Sequence, residues 1–439
     1  MYQLNTQQVN IQECPFYKMD TTEYQNVYDD IQLNSNSNNV DNCQTNWIEK
    51  KFTNPKSTIR LATMFSGIGA VEFALKRLNL SSEIIFACDN DKFVKESYFA
   101  NYKINNENWY NDVLNIKGKK YKNKIDLLVG GSPCQSFSMV GKRKGFDDTR
   151  GTLFYEFARV VKESQPKVFI YENVKGLINH DKGNTFETIK ATFNELGYKY
   201  FYKVLNAKDY GMPQHRERIF VIGFKDKSID FKFPESIPLK YKMQDFLEDY
   251  IDSKYYLKEK GVKFVTSSKN RKKRYTQING DIAICQKANQ QFNWHGDFIY
   301  ENKSKQEFNE FLFDVNEVEE KYYLSEKITK YVLSSGTKNF KTTIKTDLEV
   351  ARPLLQTMHK MHRAGVDNYV THNKGRIRKL TPKECLRLMG FGDGFKQVVS
   401  DTQMYRQAGN SIVVDVLIAL LKQMDISQFG VNNENQSFK

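Results

Sequence analysis

The sequence predicts an α/β fold, an open, doubly wound sheet accompanied by a second, smaller domain. Between residues 58 and 224, short apolar runs typical of buried strands alternate with amphipathic stretches typical of helices. This alternation favours βαβ units and a mainly parallel sheet. A glycine-containing turn at residues 65–70 joins the first strand to the first helix, a place where such sheets bind ligands. After residue 224 the rhythm stops, which indicates a separate domain.

The elements follow in chain order from the pattern of apolar residues. Strands are predicted at residues 59–65, 84–88, 125–129, 168–171 and 219–224. Helices are predicted between them at residues 71–78, 92–102, 153–163 and 185–196. Near the end, Thr381, Pro382 and Glu384 form a helix-start signal, and residues 413–421 are densely apolar, so helical structure returns.

Composition divides the chain into four parts. Residues 1–57 are rich in Asn, Gln and Ser and form a polar extension with little capacity for a core. The α/β domain spans residues 58–224 and is completed by residues 376–425. The second domain occupies residues 225–375, and residues 426–439 form a tail.

The 439 residues carry a formal net charge of +14 at a pI near 9.2, so polyanions such as nucleic acid are the expected partners. No apolar run reaches the roughly 18–20 residues of a membrane-spanning helix, and no secretory leader begins the chain. We therefore expect a cytoplasmic protein without a membrane partner. The six cysteines lack C-x-x-C spacing, which argues against disulfides and against a structural metal.

A carboxylate follows the glycine turn at a sequence separation that is typical of nucleotide-binding sites. Asp89 ends the second predicted strand 20 residues after Gly69, the separation expected of a carboxylate that binds ribose hydroxyls. The alternative is a tight turn followed by a surface aspartate. Asp112, before the next strand, fits either an adenine amino contact or an ordinary turn. An adenosine-containing cofactor explains the pattern better.

Two reactive side chains follow neighbouring strands. Cys134 lies just after the strand at residues 125–129, and Glu172 ends the strand at residues 168–171, so both are expected at the carboxyl edge of the sheet. A thiol there becomes nucleophilic if a cationic neighbour or a helix N-terminus lowers its pKa. The competing interpretations are a small buried cysteine and a helix-capping glutamate.

Six blocks in this order together resemble the DNA (cytosine-5) methyltransferases. They are Phe65-Ser66-Gly67-Ile68-Gly69, Pro133-Cys134-Gln135, Glu172-Asn173-Val174, Gln214-His215-Arg216-Glu217-Arg218, Arg378-Lys379-Leu380-Thr381-Pro382 with Glu384-Cys385, and Gly409-Asn410-Ser411-Ile412. The resemblance covers about residues 58–224 and 375–425 and makes residues 225–375 a target-recognition domain. It implies a methyltransferase domain that is built on a Rossmann-like sheet and uses S-adenosylmethionine as its cofactor. Ile412 stands where valine is usual and Asp89 where glutamate is commoner, and both changes are conservative.

The resemblance also implies roles for single residues. Cys134 would add to C6 of cytosine, Glu172 would bind N3 and the exocyclic amine, and Arg216 and Arg218 would hold the base carbonyl. Contact with DNA phosphates and a solvated strand edge are the alternatives for the two arginines. Gln135 lies beside the nucleophile and opens a basic loop, residues 135–150, that resembles the family's mobile catalytic loop.

The implied cofactor residues come from both ends of the α/β domain. They are Phe65, Ser66, Gly67, Gly69, Asp89, Asn90, Asp112, Val113, Pro133, Leu153, Asn410 and Ser411. For Leu153, core packing is the competing explanation. The return of Asn410 and Ser411 to the cofactor side implies that the C-terminal helix packs against the helix after Gly69.

The sequence therefore predicts a monomeric prokaryotic enzyme that methylates a flipped-out cytosine in a short duplex DNA site, paired with a restriction endonuclease that shares the site. One rival is an RNA cytosine-5 methyltransferase on the same scaffold, which the long basic insertion disfavours. A nucleic-acid-binding regulator would need neither Cys134 nor Glu172. A nicotinamide-dependent oxidoreductase would explain neither the Pro133-Cys134-Gln135 block nor the basic charge.

Overall fold

A computed structural model of the protein describes residues 47–132, 153–248, 251–288, 294–301, 336–337, 340–341 and 376–432. The described residues fall into two compact units. The first contains those up to Phe246, the segment Asp281–Ala288, and those from Pro382 onward. The second contains those between Leu247 and Gly280 and those between residue 294 and Thr381.

Seven strands in the described residues of the first unit form one sheet. They are β1 (Thr58–Met64), β2 (Ser81–Cys88), β3 (Trp109–Tyr110), β4 (Leu127–Gly130), β5 (Val168–Val174), β6 (Lys199–Asn206) and β7 (Glu217–Phe224). Their order is β3-β2-β1-β4-β5-β7-β6. The neighbours from β3 to β5 are parallel, whereas β7 runs antiparallel to both β5 and β6. The doubly wound prediction is confirmed, with one reversed strand near an edge.

The helices of the first unit connect these strands and close the chain. They are α1 (Ala70–Arg77), α2 (Lys92–Asn101), α3 (Leu153–Ser164), α4 (Asn184–Glu195), α7 (Pro382–Arg387), α8 (Asp401–Asn410) and α9 (Val414–Gln423). Every predicted strand and helix is present, with ends shifted by a few residues. The short β3 and the whole of β6 were not predicted.

Aromatic side chains fill the core between the sheet and its helices. Phe154 of α3 lies edge-on to Tyr171 of β5 at 5.5 Å between ring centroids, and Phe169 of β5 lies 4.7 Å from Phe193 of α4. All four side chains are fully buried. Burial of this kind, at about 25 cal/mol per Å² of apolar surface, fixes the sheet edge from which the functional loops emerge.

The C-terminal helix α9 packs against α1, the helix after Gly69, as predicted. A buried ion pair joins them, with Arg77 Nη2 2.9 Å from Asp415 Oδ1. Further along, the backbones of Thr58 and Val431 exchange hydrogen bonds of 2.9 and 3.0 Å. The last part of the chain therefore completes the same domain that begins at β1.

The second unit contains α5 (Glu259–Thr266), α6 (Ser268–Lys272), β8 (Thr276–Ile278), β9 (Gly296–Glu301), β10 (Gly336–Thr337), β11 (Phe340–Lys341) and β12 (Arg376–Lys379). Strands β8, β9 and β12 form a sheet with β9 at its centre, and β10 pairs with β11. In neither unit is a described helix long and apolar enough to cross a membrane.

Candidate active site

The candidate site lies at one edge of the main sheet. Parallel strands β1, β4 and β5 all end there, at Met64, Gly130 and Val174, because a parallel sheet brings its carboxyl ends to one side. Strand β7 runs the opposite way, so its first residues reach the same edge. The site thus combines loops that leave three strands with the start of a fourth.

Glu172 and Arg218 form an ion pair across β5 and β7. In the antiparallel register Glu172 lies opposite Phe220, and Arg218 lies opposite Val174, which makes Glu172 and Arg218 diagonal neighbours on one face. Arg218 Nε is 3.1 Å from Glu172 Oε1, and the side chains are only 17% and 14% exposed. Burial raises the pKa of the Glu172 carboxyl, while the charges of Arg218 and Arg216 oppose that rise. The site holds a carboxyl group that gains a proton more readily than a surface glutamate.

The chain that leaves β4 toward Cys134 is held tightly at its start. The side chain of Asn173 donates to the Ser132 carbonyl at 2.8 Å and to the Tyr171 hydroxyl at 3.0 Å. The Ser132 and Tyr171 hydroxyls are themselves 2.8 Å apart, and all three residues are buried. Gly131 lies so close to β5 that a Cβ there would sit 2.7 Å from the Glu172 carbonyl oxygen. Pro133, Cys134 and Gln135, with the rest of the loop to residue 150, lie outside the described residues.

Arg216 differs from Arg218 in its surroundings. It is only 3% exposed and donates to the carbonyls of Gln286, Gly409 and Ser411 at 2.9, 3.0 and 2.8 Å. Burial lowers the pKa of its guanidinium to about 10, which leaves it charged at neutral pH. Arg216 and Arg218 therefore lie near one carboxylate but make different contacts.

The glycine turn after β1 adopts left-handed backbone conformations at Phe65, Gly67 and Gly69, with φ of 55°, 53° and 79°. A Cβ at Gly67 would meet no described atom within 4 Å, so space lies open beside it. A Cβ at Gly69 would instead collide with the ring of Tyr102 at 2.2 Å. Ser66 ties the turn to β2, since its hydroxyl accepts from the Cys88 amide at 2.9 Å. The turn is open on one side and tightly packed on the other.

Two carboxylates border this turn along neighbouring strand ends. Asp89, after β2, accepts from the Gly67 amide through Oδ2 and from the Asp91 amide through Oδ1, each at 3.0 Å. Burial raises its pKa, and these hydrogen bonds counteract part of the rise. Asp112, after β3, is exposed and accepts from the Leu114 amide at 3.0 Å. Each carboxylate oxygen can accept a second hydrogen bond, so both groups keep capacity for a ligand.

The remaining predicted cofactor residues occupy mixed positions. Asn90 is exposed beside Asp89, Val113 is buried, and Leu153 packs partly buried against the main core. Asn410 is exposed at the end of α8, and Ser411 is buried just after it. Among the described residues no group of three or more His, Cys, Asp or Glu side chains is arranged to hold a metal ion.

Comparison with known proteins identifies the family. The sequence model of the C-5 cytosine-specific DNA methylases matches residues 59–425. The chain belongs to this family. It is 33% identical to the orphan methyltransferase M.SPRI of Bacillus phage SPR, over 83% of this chain and 97% of that protein. It is 32% identical to the type II methyltransferase M.HhaI of Haemophilus parahaemolyticus, over 82% of this chain and 92% of that protein.

Solved structures support the same fold for this DNA cytosine-5 methyltransferase. The Dnmt2 methyltransferase of S. pombe superposes with a TM-score of 0.53 at 17% identity, covering 84% of this chain and 98% of that chain. A DNMT2 variant from Spodoptera frugiperda gives 0.55 at 19% identity, covering 83% and 99%. At these identities the likeness concerns the fold alone, and the fold is that of a Rossmann-like methyltransferase.

Some residues that build the methyltransferase site escaped the sequence analysis. Ser132 and Tyr171 were given no role, although with Asn173 they form a buried group that borders the two predicted reactive residues. The glycine pair before Ser132 was the available signal for a close backbone approach. Gln214 lies in one of the six matched blocks but was given no role, and its side-chain amide donates to the Leu388 carbonyl at 2.9 Å.

Proposed function

We propose that this methyltransferase transfers a methyl group from S-adenosylmethionine to C5 of a cytosine rotated out of a short duplex DNA site, as the modification enzyme of a restriction-modification system. The observation that carries the proposal is the buried Glu172–Arg218 pair, at the sheet edge where the chain leaves β4 toward Cys134. Relatives named type II methyltransferases, such as M.HhaI and M.SsoII, support the restriction-modification setting. A cognate endonuclease would share the DNA site and need not bind the enzyme, which we expect to be a monomer.

The chemistry follows from the weak nucleophilicity of cytosine C5. The Cys134 thiolate adds to C6, the C5–C6 π electrons form a double bond between C4 and C5, and the C4–N3 π pair moves onto N3, which takes a proton or hydrogen bond from Glu172. C5 is then electron-rich enough to accept the methyl group. Loss of the C5 proton to a base restores the double bond and expels the thiolate. The raised pKa of Glu172 supports this role, because a protonated carboxyl can donate to N3.

The glycine turn and its carboxylates fit S-adenosylmethionine. Open space at Gly67 leaves room for a ligand against the backbone, and Asp89 and Asp112 have free acceptor capacity for ribose hydroxyls and the adenine amine. When bound, the cofactor supplies an electrophilic methyl group on a sulfonium. Phe65, Ser66 and Leu153 on this side, with Asn410 and Ser411 at the end of α8, would complete the pocket.

Duplex DNA as the substrate requires that the target base leave its stack, because C5 and C6 are out of reach inside the helix. The +14 charge favours binding of the phosphate backbone. Gln135 and the basic loop to residue 150 are positioned in sequence to follow the nucleophile and would close over the DNA. The second unit would read the bases in the major groove.

Replacement of the nucleophile tests the proposal. Cys134→Ser should abolish transfer of labelled methyl groups from S-adenosylmethionine to duplex DNA, because a hydroxyl is far less ionised than a thiol at neutral pH. Cys43→Ser is the matched control, since Cys43 lies outside the family match at residues 59–425, and it should retain activity. Normal turnover by Cys134→Ser would refute the mechanism.

Bisulfite sequencing of DNA from an expression strain identifies the methylated site. Protected cytosines in one short sequence context are expected. Transfer to tRNA in preference to duplex DNA, measured in parallel with the same labelled cofactor, would overturn the substrate assignment.

A further inference from the structure

Arg216 lies at a junction of three backbone segments of the first unit. One is its own stretch, residues 214–216, just before β7. The second is Asp281–Ala288, here called the strap, which belongs to the first unit although the chain on both sides of it belongs to the second. The third is residues 409–411, here called the cofactor-side turn, which ends α8 and includes Asn410 and Ser411.

The Arg216 guanidinium joins the strap to the cofactor-side turn. Nη2 donates to the carbonyls of Gly409 and Ser411, on both sides of Asn410, and Nη1 donates to the Gln286 carbonyl. Nη1 is also 3.6 Å from Cys285 Sγ. A charged donor that satisfies three carbonyls in a buried position fixes their backbone more firmly than neutral bonds would.

The strap is also bound directly to the neighbouring backbone. The His215 amide donates to the Ala283 carbonyl and the Ala283 amide donates to the Pro213 carbonyl, each at 2.7 Å. The strap and the turn touch without clearance, because a Cβ at Gly409 would lie 2.4 Å from the Ala288 amide nitrogen. Any added atom at Gly409 must push the strap and the turn apart.

We propose that Arg216 is a positioning residue for the cofactor, holding Asn410 and Ser411 in place through the strap and the cofactor-side turn, and that Arg218 is the arginine that acts at the cytosine. The inference rests on the proposed function, and it assigns Arg216 to the cofactor side of the site and Arg218 to the cytosine. Arg218 pairs with Glu172, whereas the terminal nitrogens of Arg216 are committed to backbone carbonyls. The rival assignment gives Arg216 a cytosine contact through Nε, which has no partner among the described residues.

Two measurements separate these assignments. Calorimetric titration with S-adenosylmethionine reports the cofactor side alone. Release of tritium from C5 of cytosine in duplex DNA, without any cofactor, reports the cytosine side alone. In that exchange, thiolate addition at C6 lets C5 take a proton from water, and elimination then expels tritium, so no methyl donor is consumed.

Arg216→Lys should weaken cofactor binding by about tenfold or more, because a lysine cannot satisfy all three carbonyls, while tritium release stays within about threefold of the parent rate. Gly409→Ala should reproduce this result, since it displaces the same turn without altering any charge. Gly394→Ala is its control, because a Cβ there meets nothing within 4 Å. Arg218→Lys should show the opposite pattern, with tritium release lost and cofactor binding retained.

Loss of tritium release with unchanged cofactor binding in Arg216→Lys would overturn the assignment, as would normal cofactor binding by Gly409→Ala. If Arg216→Lys fails to fold, Gly409→Ala decides the question, because it leaves Arg216 and its charge intact. Absence of both signals in the unsubstituted enzyme would refute the proposed function itself, and this assignment with it.

Discussion

Gly131 controls how closely the chain that leads toward Cys134 approaches β5. A side chain there would press on the Glu172 carbonyl at 2.7 Å and on Glu172 Oε2 at 3.0 Å. Backbone cannot yield as a flexible side-chain end can, so the clash must displace the segment before Cys134 or turn the carboxyl away. Either shift would separate Cys134 from Glu172, the two groups that the proposed mechanism places on one cytosine ring.

Gly131→Ala should therefore reduce methyl transfer to DNA by about a hundredfold, the scale of loss that a misplacement of about 1 Å causes. Gly176→Ala is a matched control shortly after Glu172 in the chain, because a Cβ at Gly176 meets nothing within 4 Å. Initial rates with saturating DNA test the pair of variants. Equal activities of the two variants would show that the close approach is unimportant.

The sequence allowed Cys134 and Glu172 to be selected because each follows an apolar strand, and strand ends converge. The support around them was hidden for a physical reason. Asn173, Tyr171 and Ser132 interact through side-chain geometry across β4 and β5, which depends on register rather than on any local pattern. The different contacts of Arg216 and Arg218 were equally invisible, because their alternate spacing shows only that they share one face.

Among the elements, α1 and α9 depend on a buried ion pair. Arg77 donates two hydrogen bonds to the Asp415 carboxylate and a third to the Gly390 carbonyl at 3.0 Å. Removing one charge leaves the other buried without a partner, and an uncompensated buried charge strongly destabilises the fold.

Asp415→Asn should lower the free energy of unfolding by about 3–5 kcal/mol. Glu187→Gln removes the partner of Lys190 in a pair where the glutamate is 71% exposed, and should cost about 1 kcal/mol at most. Urea denaturation of the two variants and the parent gives the comparison. A loss for Asp415→Asn no larger than that of the surface control would contradict the structural importance of the pair.

Helix α1 also carries a buried acid, Glu72, in its first turn. Its Oε1 accepts from the Tyr98 hydroxyl at 2.6 Å and the Thr63 hydroxyl at 3.1 Å, while Oε2 has no partner among the described residues. Burial raises the pKa of this carboxyl. The folded protein therefore holds a proton that the unfolded chain releases at an ordinary glutamate pKa, near 4.3.

Between these two pKa values the folded state binds more protons, so Glu72 makes stability fall as the pH rises above about 4.3 and up to the raised pKa. Glu72→Gln should flatten that part of the stability profile, since an amide does not titrate. Denaturation midpoints between pH 5 and pH 8 provide the measurement. An identical decline in the parent and the variant would show that Glu72 is not responsible.

The element predictions succeeded where strands are apolar on both faces and failed where they are not. Strand β6 begins with two lysines and three aromatic residues mixed within five positions, and its residues Tyr202 and Lys203 are exposed because the strand lies at the sheet edge. Half-exposed edge strands lack the apolar run that marks a central strand. Strand β3 has only two residues, too few for any periodicity.

For the whole molecule, part of the excess positive charge lies in an exposed run of basic residues in the second unit. Residues 271–275 there are all exposed, and four of them, Arg271, Lys272, Lys273 and Arg274, are basic. Beside them, Tyr275 stacks on His295 with 4.8 Å between ring centroids. A solvated loop remains the alternative to phosphate binding, and ionic strength distinguishes the two.

Neutralising Lys272 and Lys273 to glutamine should weaken DNA binding and reduce the slope of log affinity against log salt by roughly two, about 0.9 per lost phosphate contact. Neutralising Lys119 and Lys122 provides the same change in charge at exposed positions before β4, at the opposite edge from the site. Binding titrations at several salt concentrations compare them. Equal slopes for both double variants would show that the basic run is a solvated loop that does not contact DNA phosphates.

Domain organisation was only partly visible in the sequence. The last strand of the main sheet ends at Phe224, yet described residues up to Phe246 and the strap belong to the first unit. The strap is a short segment bound by backbone hydrogen bonds, and such bonds leave no trace in residue composition. The role of the second unit in target recognition stays a prediction.

The reversed strand β7 makes the site sensitive to changes in chain length. Glu172 and Arg218 face each other only because Val174 aligns with Arg218 across an antiparallel ladder. Deleting one residue inside β5 or β7 would turn one partner to the opposite face of the sheet, whereas deleting one in the exposed stretch at residues 175–176 would leave the alignment intact. A one-residue insertion or deletion inside β5 or β7 should therefore damage the Glu172–Arg218 pair more than a substitution at a neighbouring position does.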